Sequence, residues 1–311
     1  MINKKNRKKA VSLFCSSGIG DLGLKANEID TVVACELLPE RMRLFLHNFP
    51  EAKGFCGDIW NLKDDIIKYY KDKYSESPFL VIATPPCQGM SSNGMGTILS
   101  NFKKGIRSGF DPRNRLIMPA VEIVKELKPE WVIFENVPNM TNTVIEDKGK
   151  VINIIDYINR ELGAEYVGSP QVVDVADYGV PQHRNRLITV LTRNPKGKEE
   201  FRKVNRLIPE PTFSEKDTMF TKHWLTLRDV IYDLPPISSR KGENVNPDNK
   251  LHKVPLLDDA KLSWVHNTPE GQTAMNNQCI NPECMYQGNT LHGAKHNSEG
   301  VNRANTSTPL Y

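Results

Sequence analysis

Cys87 sits in the stretch ATPPCQGMSS (83–92), directly after the apolar run FLVI (79–82). Two prolines fix φ and restrict the residue before them, so the thiol is held at the mouth of a buried strand rather than left to wander. Position and rigidity suit a nucleophile, which acts as the thiolate. A buried structural cysteine is the commoner fate of the residue type, but it rarely needs Pro-Pro before it and Gln-Gly-Met-Ser-Ser after it. The run WVIFENV (131–137) ends with Glu135 and Asn136, which a neighbouring parallel strand would bring beside Cys87. Farther on, QHRNR (182–186) offers an amide and two guanidiniums, with Arg184 and Arg186 on one face if the segment is extended. A thiol, a carboxyl and paired arginines would then meet at one rim.

A second constellation lies earlier. Cys15 to Leu24 read CSSGIGDLGL, a G-x-G-x-x-G placed where a strand gives way to a helix, so that backbone can approach a ligand at a helix N-terminus. Alone it is equally an ordinary tight turn. It gains weight because the next apolar run ends in Glu36 and the turn after that carries Gly57-Asp58-Ile59. An acidic group ending the second strand can bond ribose hydroxyls, and one after the third can accept from an adenine amine. Two surface carboxylates are the plainer alternative.

Six apolar runs must position these groups: AVSLF (10–14), TVVACE (31–36), FLVIAT (79–84), WVIFENV (131–137), YVGSPQVVDV (166–175) and RLITVLT (186–192). Runs this apolar predict strands buried on both faces, as in a parallel sheet. Leu116, Ile117, Ala120, Val121, Val124 and Leu127 keep a three-four spacing closed by Pro129, which predicts a helix between the third and fourth. This is β-α-β grammar and an α/β fold over 10–192. The texture changes near 195–215 to Pro-, Asn- and Gly-rich sequence with apolar patches such as HWLTLRDVIYDL (223–234), so two regions are expected, 1–200 and 201–311.

The chain of 311 residues can bury a full core without staples. Its six cysteines are scattered and follow no apolar leader, which predicts a reduced, cytoplasmic setting. No run approaches the roughly 18 apolar residues of a membrane span. The net charge of +4 permits a polyanionic partner without demanding one. Between Gln88 and Arg115, glycines interleave with Lys103, Lys104, Arg107, Arg113 and Arg115, a pattern expected of a loop closing over phosphates, with a plain surface loop as the competing view.

PPCQ (85–88), ENV (135–137) and QHRNR (182–186), in that order and after the glycine turn, resemble the ordered motifs of the cytosine-C5 DNA methyltransferases of bacterial restriction-modification systems. The resemblance covers roughly 10–192. It implies a Rossmann-like sheet, S-adenosylmethionine as methyl donor and a cytosine flipped out of double-stranded DNA as acceptor. It implies that Cys87 attacks C6, that Glu135 holds N3 and the exocyclic amine, and that Arg186 with Arg184 holds O2 and the neighbouring phosphate. Phe14, Gly18, Gly20, Glu36, Asp58, Ile59 and Pro85 would bind the cofactor; Gln88, Ser91, Asn136 and Gln182 would contact the substrate. The chain departs from the family's F-x-G-x-G-G, because Cys15 to Ser17 separate Phe14 from Gly18. Residues 201–311 would read the DNA sequence, and a cognate restriction endonuclease would be the biological partner.

The family's closing segment, G-N followed by an apolar helix, is not matched: after Gly288-Asn289 the sequence LHGAKHNSEGVNRANTSTPLY has no helical apolar face. A shortened chain or a second polypeptide supplying that segment is the expectation. Cys279 and Cys284 with His292 and His296 are half of a zinc site or, more plainly, unrelated surface groups, and no metal is expected. A tRNA-directed relative and a cofactor- and DNA-binding subunit without catalysis are the competing functions. A nicotinamide-dependent dehydrogenase accounts for the glycine turn but not for PPCQ or QHRNR.

Overall fold

The six apolar runs are strands of one seven-stranded sheet in the computed structural model, which describes residues 7–87 and 111–266. They are β1 (Lys8–Leu13), β2 (Ile29–Glu36), β4 (Leu80–Ala83), β5 (Trp131–Asn136), β8 (Val167–Asp174) and β9 (Asn185–Thr192), with the short edge strand β3 (Lys53–Cys56) completing the order β3-β2-β1-β4-β5-β9-β8. β6 (Val144–Asp147) and β7 (Lys150–Asn153) form a separate hairpin, and β10 (Phe213–Ser214) pairs with β11 (Lys222–His223).

The expectation of a parallel sheet needs one correction. β1 through β5 pair in parallel, but β9 runs antiparallel to both β5 and β8. Only ten residues, 175–184, join β8 to β9, and a parallel crossover needs a dozen or more. The chain therefore crosses from β5 through a helix to the outer strand β8 and turns back to fill the gap.

Helices α1 (Ile19–Ala26), α2 (Pro39–Asn48), α3 (Ile59–Lys73), α4 (Ile117–Leu127) and α5 (Ile154–Leu162) join the strands. Period-two alternation along β2 splits the core: Val33 and Cys35 join the large cluster with α3, α4 and α5, while Ala34 packs with Met42, Phe45 and Phe49 of the α2 side. The predicted helix is α4, which buries Ile117, Ala120, Val121, Val124 and Leu127 and ends at Lys128 in the left-handed region before Pro129. Order 2-1-4 places the topological switch between β1 and β4, and ligands of open α/β sheets bind in the crevice beyond the carboxyl ends there.

Gly18 starts α1 at φ 83°, and a Cβ built on it would lie 2.7 Å from ring atoms of both Phe45 and Phe49. Gly18→Ala therefore combines a left-handed penalty with overpacking, together about 2–4 kcal/mol. A fall in melting temperature of about 5–10 °C is expected by calorimetry.

The chain divides into two compact units, Met1–Val230 and Ile231–Tyr311. In the first, α6 (Pro195–Val204) follows β9, and residues 206–224 pack onto the β8–β9 connection: Tyr178 donates to the carbonyl of Pro209 at 2.9 Å and Thr212 N–H to that of Asp177 at 3.0 Å. Among the described residues of the second, an isolated bridge joins Val245 to Lys253 and buried Asn246 accepts from the amides of Asp248 and Asn249. Among the described residues no helix is long and apolar enough to cross a membrane.

Candidate functional site

Beyond the carboxyl ends of β1, β2, β4 and β5 opens a cleft of about 710 Å³, within the roughly 300–1,000 Å³ of small-molecule sites. Its floor is the switch point. Phe14 follows β1 at φ 60° and Ser16 stands at φ 50°, a conformation that bulky L-residues rarely adopt. The turn is held there by Thr84, whose hydroxyl donates to the carbonyl of Phe14 at 3.0 Å, and by Glu36, whose Oε2 accepts from Ser16 N–H at 2.9 Å. Backbone strain kept by surrounding bonds is a mark of functional turns.

Glu36 ends β2 and is buried, with Oε1 accepting from Leu38 N–H at 3.1 Å. Each of its oxygens keeps a free lone pair for a ligand hydroxyl. Asp58 caps α3 through Oδ1, which accepts from Trp60 N–H at 3.0 Å, while Oδ2 is unengaged among the described residues. Ile59, Trp60, Leu37 and Leu116 supply apolar wall around these carboxylates.

At the other end stand Cys87, Glu135 and Arg186. In the β5–β9 register Glu135 faces Ile188, so Arg186, two residues along, projects from the same side of the sheet, and its Nε lies 2.9 Å from Glu135 Oε1. Asn136 points to the opposite side and is buried; its Nδ2 donates to the carbonyl of Pro85 at 3.0 Å and its Oδ1 accepts from Val137 N–H at 2.8 Å. Asn136 thereby ties the turn bearing Cys87 to the strand bearing Glu135. Burial, aided by the nearby Glu36 charge, pushes the Cys35 thiol up to about 12 and Cys15 still higher, which leaves both inert beside the half-buried Cys87.

Of the expected site residues, Phe14, Glu36, Asp58, Ile59, Pro85, Cys87, Glu135, Asn136 and Arg186 line this cleft. Gly18 and Gly20 do not: Gly18 faces the Phe45 and Phe49 rings, and the extra residues after Phe14 bring Ser16 to the lining instead. Arg184 and Gln182 are exposed and outside the lining, because β9 begins only at Asn185 and the residues before it do not continue the strand's alternation. Arg41 on α2 also lines the cleft, with no motif pointing to it, as does Arg113, paired with Asp111 and expected only among the loop cations. Gln88, Ser91, Gly288-Asn289, Cys279, Cys284, His292 and His296 lie outside the described residues.

The chain matches the sequence model described as C-5 cytosine-specific DNA methylase over residues 8–309. It is 31% identical over 269 residues to the Type II methyltransferase M1.HgaI of Avibacterium volantium, covering 86% of this chain and 67% of that one. It is 30% identical over 246 residues to the Type II methyltransferase M.AquIA of Picosynechococcus sp., covering 74% and 90%. A crystal structure of a candidate DNA modification methyltransferase encoded within an E. coli prophage superposes with a TM-score of 0.52 at 24% identity, over 74% of this chain and 56% of that one. This last likeness bears on the fold alone, and the chain spans just over half of that solved protein.

Proposed function

The chain belongs to the C-5 cytosine-specific DNA methylases, and from that premise we propose that it methylates C5 of a cytosine turned out of double-stranded DNA, with S-adenosylmethionine as donor. The observation that carries this reading is the convergence of Cys87, Glu135 and Arg186 at one end of a cleft whose other end is lined by Glu36, Asp58 and Ile59. The cofactor end fits a nucleoside: Glu36 retains acceptor capacity for ribose hydroxyls, Asp58 Oδ2 for an adenine amine, and Ile59 and Trp60 offer apolar contact to a purine face. When bound, S-adenosylmethionine supplies an electrophilic methyl group.

Cytosine C5 is a poor nucleophile while the ring is aromatic. Addition of the Cys87 thiolate to C6 forms a C–S bond, interrupts the ring and places the electron pair on C5. Glu135 holds a proton at N3 and accepts from the exocyclic amine, drawing charge away from the ring. Arg186 keeps that carboxyl in place and offers its remaining donors to O2 and phosphate. After C5 is methylated, transfer of its proton to solvent in the open cleft leaves the C–H pair to re-form the C5–C6 double bond, and the C6–S bond breaks to release the Cys87 thiolate. Reaching C6 requires the base to leave the stack.

In the same proposal residues 201–311 read the DNA sequence, the protein acts on cytoplasmic DNA, and a cognate restriction endonuclease is its partner. Transfer of labelled methyl from S-adenosylmethionine to unmethylated phage DNA tests the function; labelling of tRNA in its place would reassign the substrate. Glu36→Ala removes ribose acceptors and releases Ser16, so the Kd for S-adenosylhomocysteine should rise about 10–100-fold, since bonds to charged groups are each worth about 1.5–3 kcal/mol. Calorimetric titration checks it.

A further inference from the structure

Arg186 stands in β9 opposite Val173 of β8, and one carboxylate lies where that strand begins. Asp174 is the last residue of β8 and pairs in register with Asn185. Its Oδ1 accepts from Ala176 N–H at 3.1 Å and from Arg184 N–H at 2.9 Å; its Oδ2 meets His183 Nδ1 at 2.8 Å. Val175 N–H donates back to the carbonyl of Arg184 at 3.2 Å, so the connection is pinched shut from both sides two residues before Arg186. The His183 ring in turn meets Trp224 edge-on, centroids 4.5 Å apart at 83°, and Trp224 Nε1 donates to Asp177 Oδ1 at 2.9 Å. Neither Asp174 nor His183 reaches the cleft.

We propose that Asp174, braced by His183 and Trp224, is a positioning residue: it fixes the backbone of residues 183 and 184 and so delivers the Arg186 guanidinium to Glu135. The inference rests on the methyl-transfer reading for its kinetic consequence but not for its structural one. The carboxylate adds to what the sheet ladder does at its end: beyond the Asp174–Asn185 pair the Arg184 carbonyl still takes a backbone bond from Val175 N–H, while the Arg184 N–H goes to the Asp174 side chain. It also links the segment around Trp224 to the reacting end of the cleft: indole to imidazole, imidazole to carboxylate, carboxylate to the Arg184 amide and, two residues along the backbone, Arg186 to Glu135.

The full chain is assayed with labelled S-adenosylmethionine and unmethylated phage λ DNA. Asp174→Ala should lower kcat on the order of 10-fold, short of the ~100-fold that an ångström of misplacement costs, with the Kd for S-adenosylhomocysteine unchanged. Asp174→Asn keeps an oxygen acceptor for both amides and should stay within about 3-fold of the parent. In an Arg186→Ala background Asp174→Ala should have no further effect, since a residue acting through another is non-additive with it. His183 is exposed and its replacement by alanine is tolerable for folding, so His183→Ala, with an expected loss of about 3-fold that also vanishes beside Arg186→Ala, serves if Asp174→Ala does not fold. A crystal structure of Asp174→Ala or His183→Ala gives an activity-independent answer: the Arg186–Glu135 contact should be displaced. Full activity in Asp174→Ala, additivity with Arg186→Ala, or an undisturbed Arg186–Glu135 contact overturns the proposal, whereas absence of methyl transfer by the parent chain overturns only the functional reading.

Discussion

Cys87→Ser should reduce methyl transfer by about 10⁴-fold or more while leaving cofactor binding intact, because loss of an enzyme nucleophile typically costs that order and a serine hydroxyl is far less ionised than a thiol. The side chain borders the cleft on a turn whose carbonyl at Pro85 is held by Asn136, so the substitution changes one atom at a fixed place rather than reshaping the site. The expected signature is a collapse of kcat with an unchanged Kd for S-adenosylhomocysteine, measured by single-turnover transfer and calorimetry. Residual activity within 10-fold of the parent would assign the chemistry to another group.

Glu135→Gln should lower kcat by about 10²–10⁴-fold, the usual range for a positioned proton donor or acceptor. The amide keeps the size of the side chain and one acceptor for Arg186, but it cannot hold a proton for N3. Its ion pair with Arg186 Nε at 2.9 Å is part-exposed and contributes little to stability, so the melting temperature should barely move. A fall in affinity for DNA with kcat preserved would instead make Glu135 a binding group.

The central strands were legible because their middles are buried and apolar, with Val11, Val33, Val81 and Val132 all fully buried at the heart of their runs; the outer strand β8, expected to be buried on both faces, has no fully buried residue. The edge strand β3 was not, since KGFC is short and half polar. The direction of β9 was readable from the ten-residue span before it, but apolar content alone carries no sign of direction. The β6–β7 hairpin hides behind Lys148 and Gly149, both at positive φ, where an Asn-Gly pair would have announced the turn.

Within the site, the residues at strand ends were legible because the switch-point rule ties them to the sheet: Phe14, Glu36, Cys87 and Glu135 all follow or end a strand. What escaped was conformation between elements. Gly18 looked like ligand-facing backbone but is small for the sake of Phe45 and Phe49. Arg184 looked equivalent to Arg186, yet only the second lies within β9 and inherits its face. Arg41 carries no motif at all; its place depends on how α2 leaves β2, which no spacing in the sequence encodes.

The central claim, that Cys87 bonds to C6 of an extruded cytosine, is tested most directly by a duplex carrying 5-fluorocytosine at methylated sites. Fluorine at C5 cannot leave as a proton does, so the addition product is trapped. The account predicts a denaturant-resistant protein–DNA adduct that requires S-adenosylmethionine, maps by mass spectrometry to the peptide containing Cys87 and is absent from Cys87→Ser. An adduct that persists in Cys87→Ser, or none from a parent chain that methylates ordinary duplex, would contradict it.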